Sequence, residues 1–168
     1  MRPTSDRLRE TLFNILGDRV IESVFLDGYS GAGGVGLEAV SRGASNVFFV
    51  DRSAESGELI RSNLGVLRVV EGFKILKIDL AAALRGFVAS GVLFNIAFLD
   101  PPYAEEELYV RDLEYFGNRH LLAENGLLVL EHSRKMYLPD EVGKLSRTRN
   151  LKQGDSALTF YELKRGVE

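Results

Sequence analysis

The chain has 168 residues, of which 45% are hydrophobic and 27% are charged, and its formal net charge is −3. This length predicts one domain, residues 1–168, with enough apolar surface for a single core. Cysteine is absent, which excludes disulfides and thiolate metal sites and agrees with a reducing cytoplasm. The apolar runs are far shorter than the roughly 20 residues that cross a bilayer, and no signal-peptide core opens the chain. We therefore expect a cytoplasmic protein that has no membrane segment.

Charge is unevenly distributed along the chain. Residues 79–131 carry nine acidic and three basic side chains, whereas residues 134–165 carry eight basic and four acidic ones. The N-terminal stretch adds Arg2, Arg7, Arg9 and Arg19. Basic ends of this kind can hold a phosphate backbone, although solvated surface charge is the simpler interpretation.

The hydrophobic pattern first predicts a helix over Thr4–Leu16, with Thr4 or Ser5 as its cap and Gly17 at its end, so that residues 1–17 form an opening helix. Short β-rich runs then alternate with helical segments as far as residue 131. The predicted strands are Ser23–Leu26, Asn46–Val50, Phe73–Ile78, Asn95–Leu99 and Leu127–Glu131, and the helices between them are Val35–Ser41, Ala54–Leu67, Ala81–Val88 and Glu105–Phe116.

The C-terminal pattern differs, because Leu145–Leu151 and Ala157–Leu163 flank the turn sequence Gln153-Gly154-Asp155 and so predict a hairpin. Alternating strands and helices indicate parallel βαβ units with helices on both faces of the sheet. We predict an α/β fold, namely a Rossmann-like, doubly wound, mostly parallel seven-stranded sheet with an antiparallel C-terminal hairpin.

Aspartates follow four of the predicted strands: Asp27, Asp51, Asp79 and Asp100. In an open α/β sheet the ligand lies across the carboxyl ends of the strands. Four carboxylates at one edge repel each other unless something there uses them. The pattern therefore predicts a polar ligand site at this edge.

A glycine-rich loop follows the first strand, and its Gly31-x-Gly33-x-x-Gly36 spacing matches the dinucleotide-binding pattern. Glycines allow a tight turn and close approach of a ligand, and the following helix presents unpaired N–H groups. Asp51 lies 20 residues after Gly31, where a carboxylate binds ribose hydroxyls. The loop predicts an adenosine-type cofactor, the alternative being a βα turn that needs glycine only for its geometry.

Two features favour S-adenosylmethionine over NAD. Asp27 precedes the loop, where it can pair with the ammonium of the cofactor's methionine part, and S-adenosylmethionine has no pyrophosphate to be repelled by that carboxylate. The second feature is Asp100-Pro101-Pro102-Tyr103, after the fourth strand.

This Asp-Pro-Pro-Tyr sequence predicts a stiff turn whose oxygens act as acceptors. The Asp100 side chain and the Pro101 carbonyl can bind the two hydrogens of a base amino group and aim its lone pair at a sulfonium methyl. Tyr103 can stack on the unpaired or flipped base. The alternative is a surface turn that follows a strand by coincidence.

Together these segments resemble a known family. Asp-Pro-Pro-Tyr after a Gly-x-Gly loop resembles class I amino-methyltransferases, and Arg2–Asn14, Ser30–Ala44, Leu99–Tyr103 and the final hairpin are similar to RsmD-type 16S rRNA (guanine-N2)-methyltransferases. The resemblance covers nearly the whole chain. There are two departures. Gly28-Tyr29-Ser30 stands where the family usually has Leu-Phe-Ala, and the sequence starts directly at the Arg-Pro-Thr segment, before which the family usually has a short basic leader; either the sequence is trimmed there or this member differs.

The resemblance implies roles for individual residues. It places Thr4 and Arg7 beside the cofactor or target pocket, Gly31 and Gly33 at the methionine part, and Asp51 at the ribose. It further implies that Asp79 and the Leu80 amide bind adenine, while Asp100, Pro101 and Tyr103 hold the guanine. The other predicted site residues are Ser30 and Arg52 for the cofactor and Pro102 within the catalytic turn.

The sequence thus predicts a monomeric S-adenosylmethionine-dependent enzyme that methylates a guanine amine in rRNA or in an assembling small ribosomal subunit. The alternatives are a DNA adenine or cytosine methyltransferase, an NAD-binding oxidoreductase and a non-catalytic RNA-binding module. We predict no metal site, because His120 and His132 lack ligand spacing, and we predict a structural role for Glu131.

Overall fold

The computed structural model describes residues 5–165. Its five α-helices are α1 (Asp6–Leu16), α2 (Gly34–Ser41), α3 (Ala54–Val66), α4 (Leu80–Ser90) and α5 (Glu106–Asn118). Its strands are β1 (Val24–Gly28), β2 (Asn46–Val50), β3 (Phe73–Leu76), β4 (Phe94–Leu99), β5 (Leu122–Ser133), β6 (Glu141–Val142), β7 (Leu145–Gln153) and β8 (Ser156–Leu163). The predicted cap residue Thr4 lies outside the described part, and Ser5 caps α1, its hydroxyl accepting the Leu8 N–H at 3.1 Å.

One sheet contains all eight strands of the described chain in the order β3-β2-β1-β4-β5-β8-β7-β6. The first five positions are paired in parallel, and β5-β8, β8-β7 and β7-β6 are paired antiparallel. This order confirms the predicted doubly wound sheet with an antiparallel end. The strand order reverses between β1 and β4, where such sheets bind their ligands.

The predicted count of seven strands is wrong by one. The additional strand, β6, has only two residues and pairs Glu141 with Ser146 and Val142 with Leu145. Two residues carry no periodic pattern that a sequence argument can detect. Strand β5 is also longer than predicted, because Leu122 already pairs with Phe94 before a register shift.

Two apolar clusters cover the two faces of the sheet. Helices α1, α2 and α3 pack on one face, for example through Phe13, Val35 and Ile60, and helices α4 and α5 pack on the other through Leu84 and Leu113. This arrangement exposes the carboxyl edge of the parallel strands between the two helical layers. None of the helices within residues 5–165 is long and apolar enough to cross a membrane.

Candidate active site

The carboxyl ends of β1, β2 and β4 lie side by side, because Gly28 pairs in register with Val50 on one side and Leu99 on the other. The loops beyond these strands are also hydrogen-bonded to each other. The Ser30 N–H donates to the Val50 carbonyl at 3.0 Å, and the Asp100 N–H donates to the Gly28 carbonyl at 3.2 Å. The glycine loop and the Asp-Pro-Pro-Tyr turn are therefore neighbours in the folded chain.

Asp51 fixes the conformation of the glycine loop. One oxygen of its half-buried carboxylate accepts the Gly31 N–H at 2.9 Å, and the other accepts the Ser53 N–H at 2.9 Å. The buried Ser56 hydroxyl donates to the Gly31 carbonyl from the other side. Asp51, which the sequence predicts to bind ribose, thus also holds the glycine loop in its conformation.

Packing explains two of the three patterned glycines. A Cβ at Gly33 would lie 2.6 Å from Ile60 Cγ1, and the residue has a φ of +84°. A Cβ at Gly36 would lie 2.3 Å from a ring carbon of Phe49. These positions need glycine because helices α2 and α3 approach strand β2 closely. The sequence interpretation gave tight turning and ligand approach as the reasons for the glycines and kept turn geometry alone as the alternative.

Ser30 is a candidate ligand-binding residue within the glycine loop. Its side-chain hydroxyl is buried and has no hydrogen-bond partner among the residues that the structure describes. Buried hydroxyls are nearly always paired, so an unpaired one in the glycine loop fits a bound polar ligand. Arg52, beyond β2, and Arg7, on α1, are exposed, as residues at the rim of a pocket would be.

Asp27 is buried under the same loop. Its carboxylate accepts the Gly36 N–H at 2.9 Å, and its side chain is almost inaccessible. Burial raises the pKa of Asp27 to about 8; the Gly36 hydrogen bond acts against this shift and the nearby Asp51 carboxylate adds to it. A cation that reached Asp27 would lower this pKa, which is the electrostatic condition for binding an ammonium group.

Asp79 and Leu80 lie at the start of α4. The prediction that Asp79 ends the third strand is wrong, because β3 ends at Leu76 and Asp79 is the N-cap residue of α4. The Asp79 carboxylate does not cap its helix, and it faces the Arg111 guanidinium at 3.6 Å. Leu80 is buried in the cluster under α4.

Arg111 connects Asp79 to a buried polar cluster. Its guanidinium donates to the Asp112 carboxylate at 3.1 Å and to the Tyr29 hydroxyl at 3.2 Å, and Tyr29 itself donates to the other oxygen of Asp112. Burial raises the pKa of Asp112 and, together with that carboxylate, the pKa of Tyr29. Tyr29 has a φ of 61°, in the left-handed region that non-glycine residues rarely adopt. The cluster thus ties the start of the glycine loop to α5.

The Asp-Pro-Pro-Tyr turn connects β4 to α5. Pro101 is buried, Asp100 and Tyr103 are partly buried, and Pro102 is exposed. The Pro101 carbonyl accepts a hydrogen bond at 3.0 Å from the hydroxyl of Tyr109, a fully buried residue of α5 that also lies 3.1 Å from the Glu131 carbonyl. A carbonyl oxygen has a second lone pair, so this contact leaves Pro101 able to accept another hydrogen.

Tyr103 connects the turn to the antiparallel end of the sheet. Its hydroxyl lies 2.7 Å from the Ser156 hydroxyl and donates to the His132 carbonyl at 3.2 Å. His132 is buried, its pKa is lowered by burial, and its Nδ1 donates to the Ser133 carbonyl at 2.8 Å. Within residues 5–165, no group of three or more acidic or histidine side chains is arranged to hold a metal ion.

The structure therefore places most of the predicted residues at one edge and adds three that the sequence argument missed. Tyr109, Arg111 and Asp112 lie on α5, where Tyr109 has the spacing of a core residue and the charged pair that of a solvated surface. Thr4 lies outside the described residues. The roles of Tyr109 and Asp112 depend on which segments α5 packs against in the folded chain, and the sequence pattern of α5 does not show this.

The chain is similar to several known proteins. The family described as Conserved hypothetical protein 95 matches residues 1–162. A Bacillus subtilis (strain 168) protein, named provisionally as an rRNA methyltransferase, is 36% identical over 165 residues, which is 98% of this chain and 89% of the relative. Ribosomal RNA small subunit methyltransferase D of Escherichia coli (strain K12) is 28% identical over 162 residues, 96% of this chain and 79% of the relative.

A solved structure has the same architecture. A conserved hypothetical protein from Streptococcus pyogenes superimposes with a TM-score of 0.84 at 29% identity, covering 95% of this chain and 98% of that one. The similarity includes the antiparallel strands at the end of the sheet as well as its parallel part, since nearly the full length of both chains is matched.

Proposed function

We propose that this chain, which belongs to the family described as Conserved hypothetical protein 95, the RsmD family, methylates the exocyclic amine of a guanine in small-subunit ribosomal RNA. The chain is an S-adenosylmethionine-dependent rRNA methyltransferase. The choice of an exocyclic base amine as the acceptor rests on one observation, the Asp-Pro-Pro-Tyr turn beside the glycine loop. The hydrogen bond from the Asp100 N–H to the Gly28 carbonyl, 3.2 Å long, keeps these two segments together. The choice of guanine among the base amines follows the resemblance to the RsmD-type enzymes.

The residues of the glycine loop and of the neighbouring carboxyl edge of the sheet fit the cofactor. Ser30 contributes the unpaired buried hydroxyl, Asp51 the carboxylate for ribose hydroxyls, and Asp79 with the Leu80 N–H the acceptor and donor for adenine. The proposed binding set is completed by six further residues, namely Thr4, Arg7, Asp27, Gly31, Gly33 and Arg52. When bound, S-adenosylmethionine supplies a methyl group on a positively charged sulfur, which is the electrophile for an amine.

The residues of the turn fit the acceptor. The Asp100 carboxylate and the second lone pair of the Pro101 carbonyl each bind one hydrogen of the amine, so that the nitrogen lone pair points toward the glycine loop. Pro102 stiffens the turn, and Tyr103 contributes an aromatic face for the base. The catalytic contribution is orientation and fixed electrostatics, and no covalent intermediate with the protein is needed.

The test is methyl transfer to defined nucleic acids. Purified protein and labelled S-adenosylmethionine are incubated with rRNA and small subunits that lack the modification, and the product is digested and mapped by mass spectrometry. We expect one methylated guanine in small-subunit rRNA. A methyl group found only in DNA, or no incorporation into any nucleic acid by protein that binds S-adenosylhomocysteine, would contradict the proposal.

A single substitution tests the proposed role of Asp100. Asp100→Ala should abolish transfer while S-adenosylhomocysteine affinity stays within a few-fold of wild type, because the residue contacts the acceptor. Asp18→Ala, which removes an exposed carboxylate from the 3-10 helix Gly17–Val20, is the matched control and should retain full activity. Equal activity of Asp100→Ala would refute the assignment.

We further propose that the enzyme is a monomer with a single domain, residues 1–168. It works in the cytoplasm on rRNA or an assembling small subunit, and it needs no metal ion. The absence of cysteine supports a reducing compartment. Analytical ultracentrifugation and activity in the presence of EDTA test the monomer and the metal independence.

A further inference from the structure

The turn between β7 and β8 is part of the carboxyl edge. Tyr103 of the catalytic turn contacts Ser156 at 2.7 Å, and the Thr11 hydroxyl of α1 donates to the Gln153 side chain at 2.8 Å. Arg134, just beyond β5, donates from its backbone N–H to the backbone carbonyl of Asp155 at 3.0 Å and from its guanidinium to the backbone carbonyl of Gly154 at 2.8 Å. The hairpin turn is therefore held beside the site by three different segments.

Exposed cations surround this turn. Arg134 and Lys135 follow β5, and Lys152 precedes the turn on β7; all three side chains are exposed. No ion pair among the described residues involves any of them, whereas Arg147 and Lys164 on the same hairpin pair with Asp140 and Glu141. The turn itself carries one exposed carboxylate, Asp155, so the local balance remains positive.

This concentration of positive charge is a local property. The whole chain has a net charge of −3, and residues 79–131 are strongly acidic. A cationic strand end can also serve to prevent edge-to-edge aggregation, and Lys152 alone would fit that role because β7 extends beyond its short partner β6. Arg134 and Lys135 lie outside the edge strand, and aggregation control does not account for them.

We propose that Arg134, Lys135 and Lys152, the basic rim, bind the phosphate backbone of the RNA that flanks the target nucleotide. The inference rests on the proposed function and specifies which surface the RNA occupies. A base that enters the site between Asp100 and Tyr103 carries its flanking phosphates past the turn that Tyr103 contacts. Phosphate contacts hold the substrate in position without reading its sequence.

The test is the triple variant Arg134→Gln, Lys135→Gln and Lys152→Gln, measured with rRNA against salt concentration. We expect the KM for RNA to rise about tenfold or more, and the slope of log affinity against log salt to fall by about two, since each single-strand phosphate contact contributes roughly 0.7. S-adenosylhomocysteine affinity and kcat at saturating RNA should stay within about twofold, because the rim does not touch the reacting atoms.

A matched control carries the same loss of charge elsewhere. The control is a second triple variant that removes three exposed cations near the opposite end of the sheet, and it should leave the RNA KM nearly unchanged. Its substitutions are Arg61→Gln on α3, Lys74→Gln on β3 and Arg85→Gln on α4. Because Arg134 also supports the hairpin turn, the double variant Lys135→Gln and Lys152→Gln is measured in parallel. It should show an intermediate effect with wild-type thermal stability.

The outcomes separate the two proposals. If wild type methylates rRNA and the rim variants behave like the control, the rim is overturned while the function stands. If wild type binds RNA through the rim, with the expected salt slopes, but transfers no methyl group, the rim stands and the function fails. RNA binding that neither rim variant alters overturns the rim whatever the activity.

Discussion

The hydroxyl of Tyr109 donates a hydrogen bond to the carbonyl oxygen of Pro101 over 3.0 Å, inside the core between α5 and the sheet. The orientation of a proposed acceptor for the target amine is thus set by a side chain that the substrate does not touch. Tyr109 is a positioning residue in this interpretation. The contact also explains why a tyrosine occupies a fully buried position of α5.

Tyr109→Phe should lower kcat about tenfold with little change in S-adenosylhomocysteine affinity, because the Pro101 carbonyl loses the contact that orients it. Stability should fall by about 1–2 kcal/mol from the lost buried hydrogen bond. Tyr161→Phe is the control, since its buried hydroxyl donates to the Pro139 carbonyl at 2.6 Å, away from the site. A similar kcat for both variants would show that Tyr109 has only a structural role.

Tyr103 is proposed to act through its ring, while its hydroxyl anchors it to Ser156 and His132. Tyr103→Phe keeps the ring and should retain activity within about threefold. Tyr103→Ala removes a stacking surface worth about 1–3 kcal/mol per base, so kcat/KM for RNA should fall at least about fivefold. Steady-state kinetics with RNA as the varied substrate distinguish the two. If the phenylalanine variant is as impaired as the alanine variant, the hydroxyl carries the function.

Arg111 should hold Asp79 in place for the adenine of the cofactor, since it links that carboxylate to the buried pair Tyr29–Asp112. Arg111→Gln is expected to weaken S-adenosylhomocysteine binding about fivefold and to leave kcat at saturating cofactor almost unchanged. Arg119→Gln, which changes an exposed arginine just beyond the same helix, is the control. Calorimetric titration measures both. An unchanged dissociation constant for Arg111→Gln would remove Arg111 from the cofactor site.

The sequence was sufficient to predict a doubly wound, mostly parallel sheet and aspartates at its carboxyl edge, because short β-rich runs alternate with helices and Asp51 and Asp100 directly follow β2 and β4. The prediction that Asp27 follows the first strand is wrong by one or two residues, because β1 extends to Gly28 and contains Asp27. The sequence pattern placed Asp79 incorrectly, since nothing in Phe73–Ile78 shows that pairing with β2 stops at Leu76. It also could not reveal the contact between Tyr109 and Pro101. That contact depends on how α5 folds back over β4 and β5, which is a property of the packed chain.

Tyr29 illustrates a second limit of sequence analysis. The difference from the family's usual Leu-Phe-Ala was visible, but its meaning appears only with Asp112 and Arg111, which lie more than eighty residues away. A positive φ at a tyrosine is unfavourable by about 1 kcal/mol or more, and the buried hydrogen bonds offset it. Long-range polar partners of this kind leave no periodic signal.

Asp27 makes the stability of the ligand-free protein depend on pH. Its pKa is raised from 3.8 to about 8 in the folded chain, so between these values the folded protein holds a proton that the unfolded chain releases. The free energy of unfolding contributed by Asp27 is therefore greatest at low pH and declines as pH rises through about 8. Asp27→Asn stays neutral and can still accept the Gly36 N–H. Thermal melts from pH 4 to 9 should show wild type losing Tm relative to the variant as pH rises.

The same group should make cofactor binding depend on pH in the opposite sense. An ammonium beside Asp27 favours its ionised form, so binding releases a proton, and S-adenosylhomocysteine affinity should rise from pH 6 to pH 8 by up to about tenfold per unit. Asp27→Asn should bind more weakly at pH 8 and lose this dependence. Methylthioadenosine, which lacks the amino-acid part of the cofactor, is the matched ligand and should show no such rise with either protein. If wild type binds both ligands with the same pH profile, the ammonium lies elsewhere and Asp27 serves only to hold the amide of Gly36.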